Sequence, residues 1–131
     1  MQLNPLIHII FYLATLFLPD GTAKFTVSSG YEQKITWVRQ VDGAWQATTE
    51  NGKDAGLWSI DGFVVSVTKQ GQTAKTDVSR FVKVSTIEGQ TKQVSVADHP
   101  VTVSINTPTV TFSQDKDGPF AKPVVVTYSA K

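Results

Sequence analysis

Hydrophobic and polar residues follow two different patterns along the chain, and the change comes near residue 23. Residues 6–18 are apolar apart from His8 and Thr15, whereas from Phe25 onward β-branched and aromatic residues alternate with polar ones. An uninterrupted apolar run favours a short hydrophobic helix, and alternation with a period of two is typical of strands that have one buried face. The pattern therefore predicts an all-β domain behind a short N-terminal helix.

Turn dipeptides separate the predicted strands at short intervals. Asn51-Gly52 and Asp61-Gly62 are examples, and such pairs favour tight hairpins because both central positions of a type I′ turn need positive φ. This rhythm predicts an antiparallel meander of about eight or nine strands, each pairing with the next. The predicted strands cover residues 34–41, 44–49, 56–60, 63–69, 78–87, 91–96, 101–105, 109–113 and 123–129, and residues 70–76 form a polar connection.

Two all-β architectures fit these strands, a single antiparallel β-sandwich and a small up-and-down barrel. The stretch 45–71, with its Asn-Gly turn, its Gly-x-Trp and its Asp-Gly turn, resembles hairpins of small lipocalin-like barrels. That resemblance implies a barrel with room for one small ligand. The Val/Thr-rich strands near the C-terminus fit an immunoglobulin-like sandwich equally well, so both architectures stay open.

Composition narrows the class of protein further. The 131 residues fit one domain, and 40% hydrophobic with 18% charged residues is an ordinary globular balance. The net charge is +1 and the basic residues are scattered singly, which gives no basis for binding nucleic acid. The sequence has no cysteine, which excludes disulfides, thiolate metal sites and a cysteine nucleophile.

The N-terminal apolar run resembles the hydrophobic region of a secretory signal peptide. Pro5 and Pro19 flank it, and Gly21 and Ala23 supply small residues at the −3 and −1 positions of a cut before Lys24. We therefore divide the chain into residues 1–23, a signal peptide or short membrane anchor, and residues 24–131, the all-β domain. The predicted location is outside the cytoplasm, in the periplasm or at the surface of a bacterial cell.

Two other interpretations of this segment stay open. A retained anchor of 13 apolar residues spans only about 20 Å, short of a hydrocarbon core of about 30 Å. Contact with a membrane is expected only if residues 1–23 are retained. The third interpretation is a helix or strand buried in the core. His8 is a candidate functional group only if the segment is a retained anchor, whereas in a cleaved segment it is a tolerated polar residue.

The tryptophans are the main candidates for a binding site. Trp37, Trp45 and Trp58 fall on adjacent predicted strands, where they could form a platform for a sugar or line an apolar cup. Arg39 shares strand parity with Trp37 and could stack on an indole or hold an anionic ligand. The competing interpretation places Trp37 and Trp58 in the core, Trp45 partly exposed, and Arg39 on the surface.

Catalytic and metal-binding patterns are weak by comparison. Asp98-His99 could be part of a hydrolase triad, but the sequence offers no nucleophile turn to go with it, and a loop explains the pair. One His beside one Asp does not define a metal site. We therefore predict that the protein is not an enzyme and needs no metal or other cofactor.

Three functions remain compatible with the sequence. The first is a non-enzymatic exported β domain that acts as a binding, structural or accessory module, with a protein or a small apolar or sugar ligand as partner. The second is a lipocalin-like carrier of a small apolar ligand. The third is a membrane-anchored accessory subunit of a larger complex that keeps residues 1–23.

Overall fold

The computed structural model describes residues 5–89 and 91–130, and its secondary structure is predominantly β. The described chain contains one α-helix, α1 (Pro5–Phe17), and one short 3₁₀ turn (Val78–Arg80). The strands are β1 (Lys24–Ser29), β2 (Ile35–Arg39), β3 (Trp45–Thr49), β4 (Asp54–Asp61), β5 (Val64–Lys69), β6 (Gln72–Asp77), β7 (Val82–Ile87), β8 (Thr91–Val96), β9 (His99–Asn106), β10 (Thr109–Ser113) and β11 (Val124–Ser129). The all-β prediction and the short N-terminal helix are thereby confirmed, although residues 1–4 of the predicted leader lie outside the described residues.

The strand count is higher than predicted because two strands were missed. All nine predicted strands have a counterpart, and β1 and β6 are additional. The strand β6 replaces the predicted polar connection. It forms one edge of the sheet and exposes almost all of its side chains, so it has no apolar face that could produce an alternating pattern.

The eleven strands form one open antiparallel sheet. Its order is β6-β5-β4-β3-β2-β1-β11-β10-β9-β8-β7, so β1 and β11 join the two halves in the middle. This arrangement confirms neither the predicted sandwich nor the predicted barrel.

The sheet stays open between β6 and β7 for a topological reason. Every neighbouring pair is antiparallel, including β1 with β11, and it follows that β6 and β7 run in the same direction. Parallel neighbours need a crossover of a dozen or more residues, whereas residues 78–81 alone connect these two strands. Over that link the chain changes partners. Val78 donates its N–H to the carbonyl of Phe63 beside β5, and Phe81 accepts from Ala97 beside β8.

The helix α1 lies inside the curled sheet. All residues from Ile7 to Ala14 are buried, which is typical of a helix surrounded by protein on every side. Its rings reach both halves of the sheet, since Phe11 contacts Trp58 on β4 while Phe17 contacts Phe112 on β10. The inner face of the sheet is lined by Phe25, Val27, Ile35, Trp37, Ala47, Trp58, Val65, Val67, Val94, Val96, Val101, Val110, Phe112, Val124 and Val126.

The end of β1 is shaped by a glycine in close contact with the last strand. The register between β1 and β11 shifts after Val27, and Gly30 follows with φ +90°. A Cβ atom at Gly30 would collide with the backbone carbonyl of Pro123. Glycine is therefore required here both by the left-handed backbone and by the space available.

No helix in the described ranges is both long and apolar enough to cross a membrane.

Candidate functional site

The centre of the molecule is a group of aromatic rings from the helix and three strands. Phe11 of α1 lies with its ring centroid 6.0 Å from that of Phe25, 5.5 Å from Trp37 and 5.0 Å from Trp58. Phe25 stacks on Trp37 at 5.0 Å, and Trp37 meets Trp58 edge to face at 5.4 Å. We call Phe25, Trp37 and Trp58 the aromatic cage, because the three rings surround Phe11.

Strand register brings these residues together. Phe25 pairs with Trp37 across β1 and β2, and Trp45 on β3 pairs with Arg39 on one side and Trp58 on the other. Residues directly opposite on antiparallel strands share a face of the sheet, so these pairs place large rings side by side. The four residues proposed from the sequence, Trp37, Arg39, Trp45 and Trp58, therefore form one contiguous group.

A bulge in β4 holds Trp58 in position. Gly56 has φ +102°, and the register between β3 and β4 shifts beside it. The distorted backbone leaves the carbonyl of Ala55 free to accept a 2.9 Å hydrogen bond from Nε1 of Trp58. The bulge itself is fixed by the Asp54 carboxylate, which accepts from the Gly56 N–H at 2.8 Å and from Nε2 of Gln46 at 2.7 Å. These two hydrogen bonds, the backbone one first, lower the pKa of the Asp54 carboxyl below its usual value.

Trp37 differs from Trp58 in one respect. Its side chain is completely buried, yet its Nε1–H finds no acceptor among the described residues. A buried donor without an acceptor costs about 1–3 kcal/mol. The aromatic cage therefore contains one polar group whose hydrogen bond is unmet.

A cleft of about 260 Å³ opens beside the cage, at the point where α1 ends. Arg39 lies at this cleft with its guanidinium carbon 5.7 Å from the ring centroid of Trp45, an arrangement that favours a cation–π contact. Trp45 in turn touches Phe25 of the cage edge to face at 5.0 Å. The cleft is lined by Thr15, Leu18, Pro19, Asp20, Thr22, Arg39 and Trp45.

Two of the three tryptophans lie in the core, as the alternative interpretation of the sequence predicted. Trp37 and Trp58 are buried, whereas Trp45 is half-buried at the cleft. Arg39 is exposed, and its guanidinium lies over the ring of Trp45, its direct neighbour on β3. Trp45 therefore separates the cleft from the buried cage, which it touches at Phe25.

One member of this site, Phe11, was missed because it belongs to α1, and a second, His8, was singled out only for the case of a retained anchor. Phe11 carried no distinguishing signal, since every position of an uninterrupted apolar run looks equivalent in the sequence. His8 is only 2% exposed, and its ring lies 5.1 Å from that of Trp58. Placing these residues in the site requires knowing that the sheet curls around residues 5–17, and no local sequence pattern indicates this.

The other sequence candidate, Asp98-His99, does not form a pair. His99 Nδ1 lies 3.2 Å from a carboxylate oxygen of Asp115, and Asp98 instead pairs with Lys83 at 3.1 Å on the exposed surface. Within the described ranges, His, Cys, Asp and Glu form no group of three or more that could hold a metal ion.

No family model, curated protein or solved structure matches this chain. The arrangement itself must therefore indicate what the site can do chemically. Its interior offers apolar and aromatic surface, and the cleft at its mouth carries one arginine and one aspartate, Arg39 and Asp20. An apolar interior with a few polar groups at its opening is typical of sites that hold small molecules.

Proposed function

We propose that this chain is a non-enzymatic binding module and that its binding surface is the inner face of the curled sheet. One observation carries the proposal. The sheet encloses an apolar helix, and the central side chain of that helix, Phe11, lies within the aromatic cage. The inner face is thus already in contact with an apolar guest, which the chain itself supplies.

The energetics favour a guest of this kind. Burial of apolar surface stabilises by about 25 cal/mol per Å², and aromatic pairs add about 0.5–1.5 kcal/mol each. Phe11 makes three such ring contacts. Another apolar molecule of similar width would gain the same kind of stabilisation from the same residues.

Export fits this proposal and divides it into two forms. If residues 1–23 are removed before folding, the sheet forms without α1, and the module becomes a carrier of a small apolar ligand, as the lipocalin-like hairpins imply. If residues 1–23 are retained, α1 fills the interior, and the module acts as a structural or accessory domain. In the carrier form Arg39 and Trp45 would lie at the opening that α1 leaves, and Trp45 is in contact with Phe25 of the cage.

Binding of an uncharged apolar dye tests the proposal. N-phenyl-1-naphthylamine would be titrated into the full chain and into Phe11→Asp, which places a charge inside the cage and weakens the docking of α1. We expect saturable binding that is tighter in the variant. Absence of saturable binding in both proteins, with circular dichroism showing an intact sheet, would contradict the proposal.

The non-enzymatic part has its own test. Hydrolysis of simple esters by the full chain that disappears in His99→Ala would show that the protein is an enzyme. The mass of the N-terminal peptide from protein made in an exporting bacterial host separates the two forms, since a mature chain beginning at Lys24 has lost α1.

A further inference from the structure

We propose that the guest of this module is a single-chain amphiphile with a carboxylate head group, and that α1 is a displaceable plug occupying its place. The tail would follow the path of α1, and the head would lie at Arg39. This inference rests on the proposed binding function and adds the chemical class of the ligand.

The path for the tail is an unbroken series of aromatic rings. It starts at Trp45 in the cleft and continues through Phe25 and Trp37 to Trp58, with successive centroids 5.0, 5.0 and 5.4 Å apart. A flexible apolar chain that takes the place of α1 would therefore meet aromatic surface from Trp45 to Trp58.

The head group is indicated by the charge at the mouth. Arg39 lines the cleft and is held over Trp45, which leaves the edge of its guanidinium to donate to an anion. Guanidinium–carboxylate hydrogen bonds are among the strongest that side chains form, and the planar fork of arginine matches the two carboxylate oxygens.

The segment that now occupies the site has the same chemistry as the proposed ligand. The helix α1 contains no charged residue, and the first one after it is Asp20. Asp20 lines the same cleft as Arg39. An apolar body thus fills the interior and a carboxylate follows it in the cleft, and a fatty-acid-like molecule would combine these two features in one chain.

The plug is joined to the sheet by a short linker, residues 18–23. Leu18 to Gly21 are partly or fully exposed, and the linker is anchored at Ala23, whose N–H donates to the carbonyl of Ser129 at 2.9 Å. A ligand must compete with α1. Its apparent affinity is therefore its intrinsic affinity multiplied by the fraction of molecules in which the interior is open. A variant that loosens α1 should therefore bind more tightly.

The experiment compares three probes that share one tail, each below its micelle-forming concentration. Dodecanoate, methyl dodecanoate and dodecyltrimethylammonium would be titrated into the full chain while tryptophan emission is recorded. We expect dodecanoate to bind most tightly, and Phe11→Asp to bind it at least tenfold more tightly than the unmodified chain. The milder variant Ile10→Ala should shift affinity in the same direction, and it keeps the test valid if Phe11→Asp does not fold.

Arg39→Gln then tests the head group, with Arg80→Gln on the distant 3₁₀ turn as the matched control. We expect Arg39→Gln to weaken dodecanoate about five- to tenfold, to leave the methyl ester unchanged, and Arg80→Gln to change neither. Equal binding of all three probes, or equal losses in the two arginine variants, would overturn the carboxylate assignment while leaving the binding module intact. Equal affinity of dodecanoate for the unmodified chain and for the variants that loosen α1 would overturn the proposal that α1 is a displaceable plug. No binding of any probe to any folded variant would contradict the proposed function itself.

Discussion

Phe11 and Trp58 lie with their ring centroids 5.0 Å apart, although Phe11 belongs to the N-terminal helix and Trp58 to β4. The residues expected to form a leader and those expected to form the domain therefore share one core in the folded chain. The contact gives the helix a role that can be measured by substitution.

Truncation of Phe11 should be costly. Phe11→Ala removes a fully buried ring from the aromatic cage, and such substitutions cost about 3–5 kcal/mol of unfolding free energy. Leu16→Ala is the control, because Leu16 lies on the same helix but is only half-buried, and it should cost clearly less. Urea unfolding of the full chain measures both. A loss below about 1 kcal/mol for Phe11→Ala would show that the helix contributes little to the core.

The predicted cleavage site should be protected once the chain has folded. Thr22 is buried, and Ala23 is bonded into the sheet through its N–H to Ser129 and through its carbonyl to the N–H of Arg39. A peptidase needs an extended, free segment, so we expect a signal peptidase to cut the unfolded chain before Lys24 and to leave the folded chain intact. Mass spectrometry after incubation reports the result. Rapid cutting of folded protein would mean that the start of β1 opens easily.

Gly30 should tolerate substitution less well than another glycine of similar backbone conformation. Gly30 and Gly43 have φ +90° and +93°, but only Gly30 is crowded, by Pro123 and Val124, whereas a Cβ at Gly43 would meet no atom within 4 Å. Gly43→Ala should cost about 1 kcal/mol from backbone strain alone. Gly30→Ala should cost more, because β1 and β11 must also separate. Thermal melting compares the two, and equal losses would show that the crowding relaxes freely.

Acid should weaken the bulge that positions Trp58. The pKa of Asp54 in the folded chain lies below its usual value of 3.8. The ionised carboxylate therefore stabilises the fold at pH values above 3.8, and this stabilisation is lost as the pH falls through the pKa of the folded state. Asp54→Asn keeps an acceptor but removes the charge. We expect the variant to melt at a lower temperature than the unmodified chain near neutral pH, and the difference to shrink below pH 3.8. A difference that stays constant down to about pH 2 would exclude this role for the charge.

The strands were predictable because two local signals agree. Alternating side chains mark strands that have one buried face, and glycines such as Gly52 and Gly62 adopt positive φ in their turns. Asn51 and Asp61 do not, so these two turns differ from the predicted type I′, whereas both residues of Gln70-Gly71 have positive φ. The edge strand β6 was missed because it has no buried face. The pairing of β1 with β11 was also unpredictable, since it joins segments from the two ends of the chain and leaves no local pattern.

The candidate site was only half visible in the sequence. Trp37, Trp45, Trp58 and Arg39 stood out by residue type, and antiparallel pairing of neighbouring strands brings them together. The position of α1 did not stand out, because an apolar segment of this length has the same hydropathy in a leader, an anchor or a core. Only the curvature of the sheet distinguishes these cases, and curvature depends on contacts between distant residues.

The position of β11 in the sheet has a consequence for the order of events during synthesis. The strand β11 lies between β1 and β10, so without residues 124–129 the sheet would be two separate pieces, β1 to β6 and β7 to β10. A ribosome makes α1 first and β11 after all the other strands. The most apolar segment of the chain therefore waits through almost the whole of translation before its enclosure is complete, and for that time it is available to any factor that recognises a nascent hydrophobic helix.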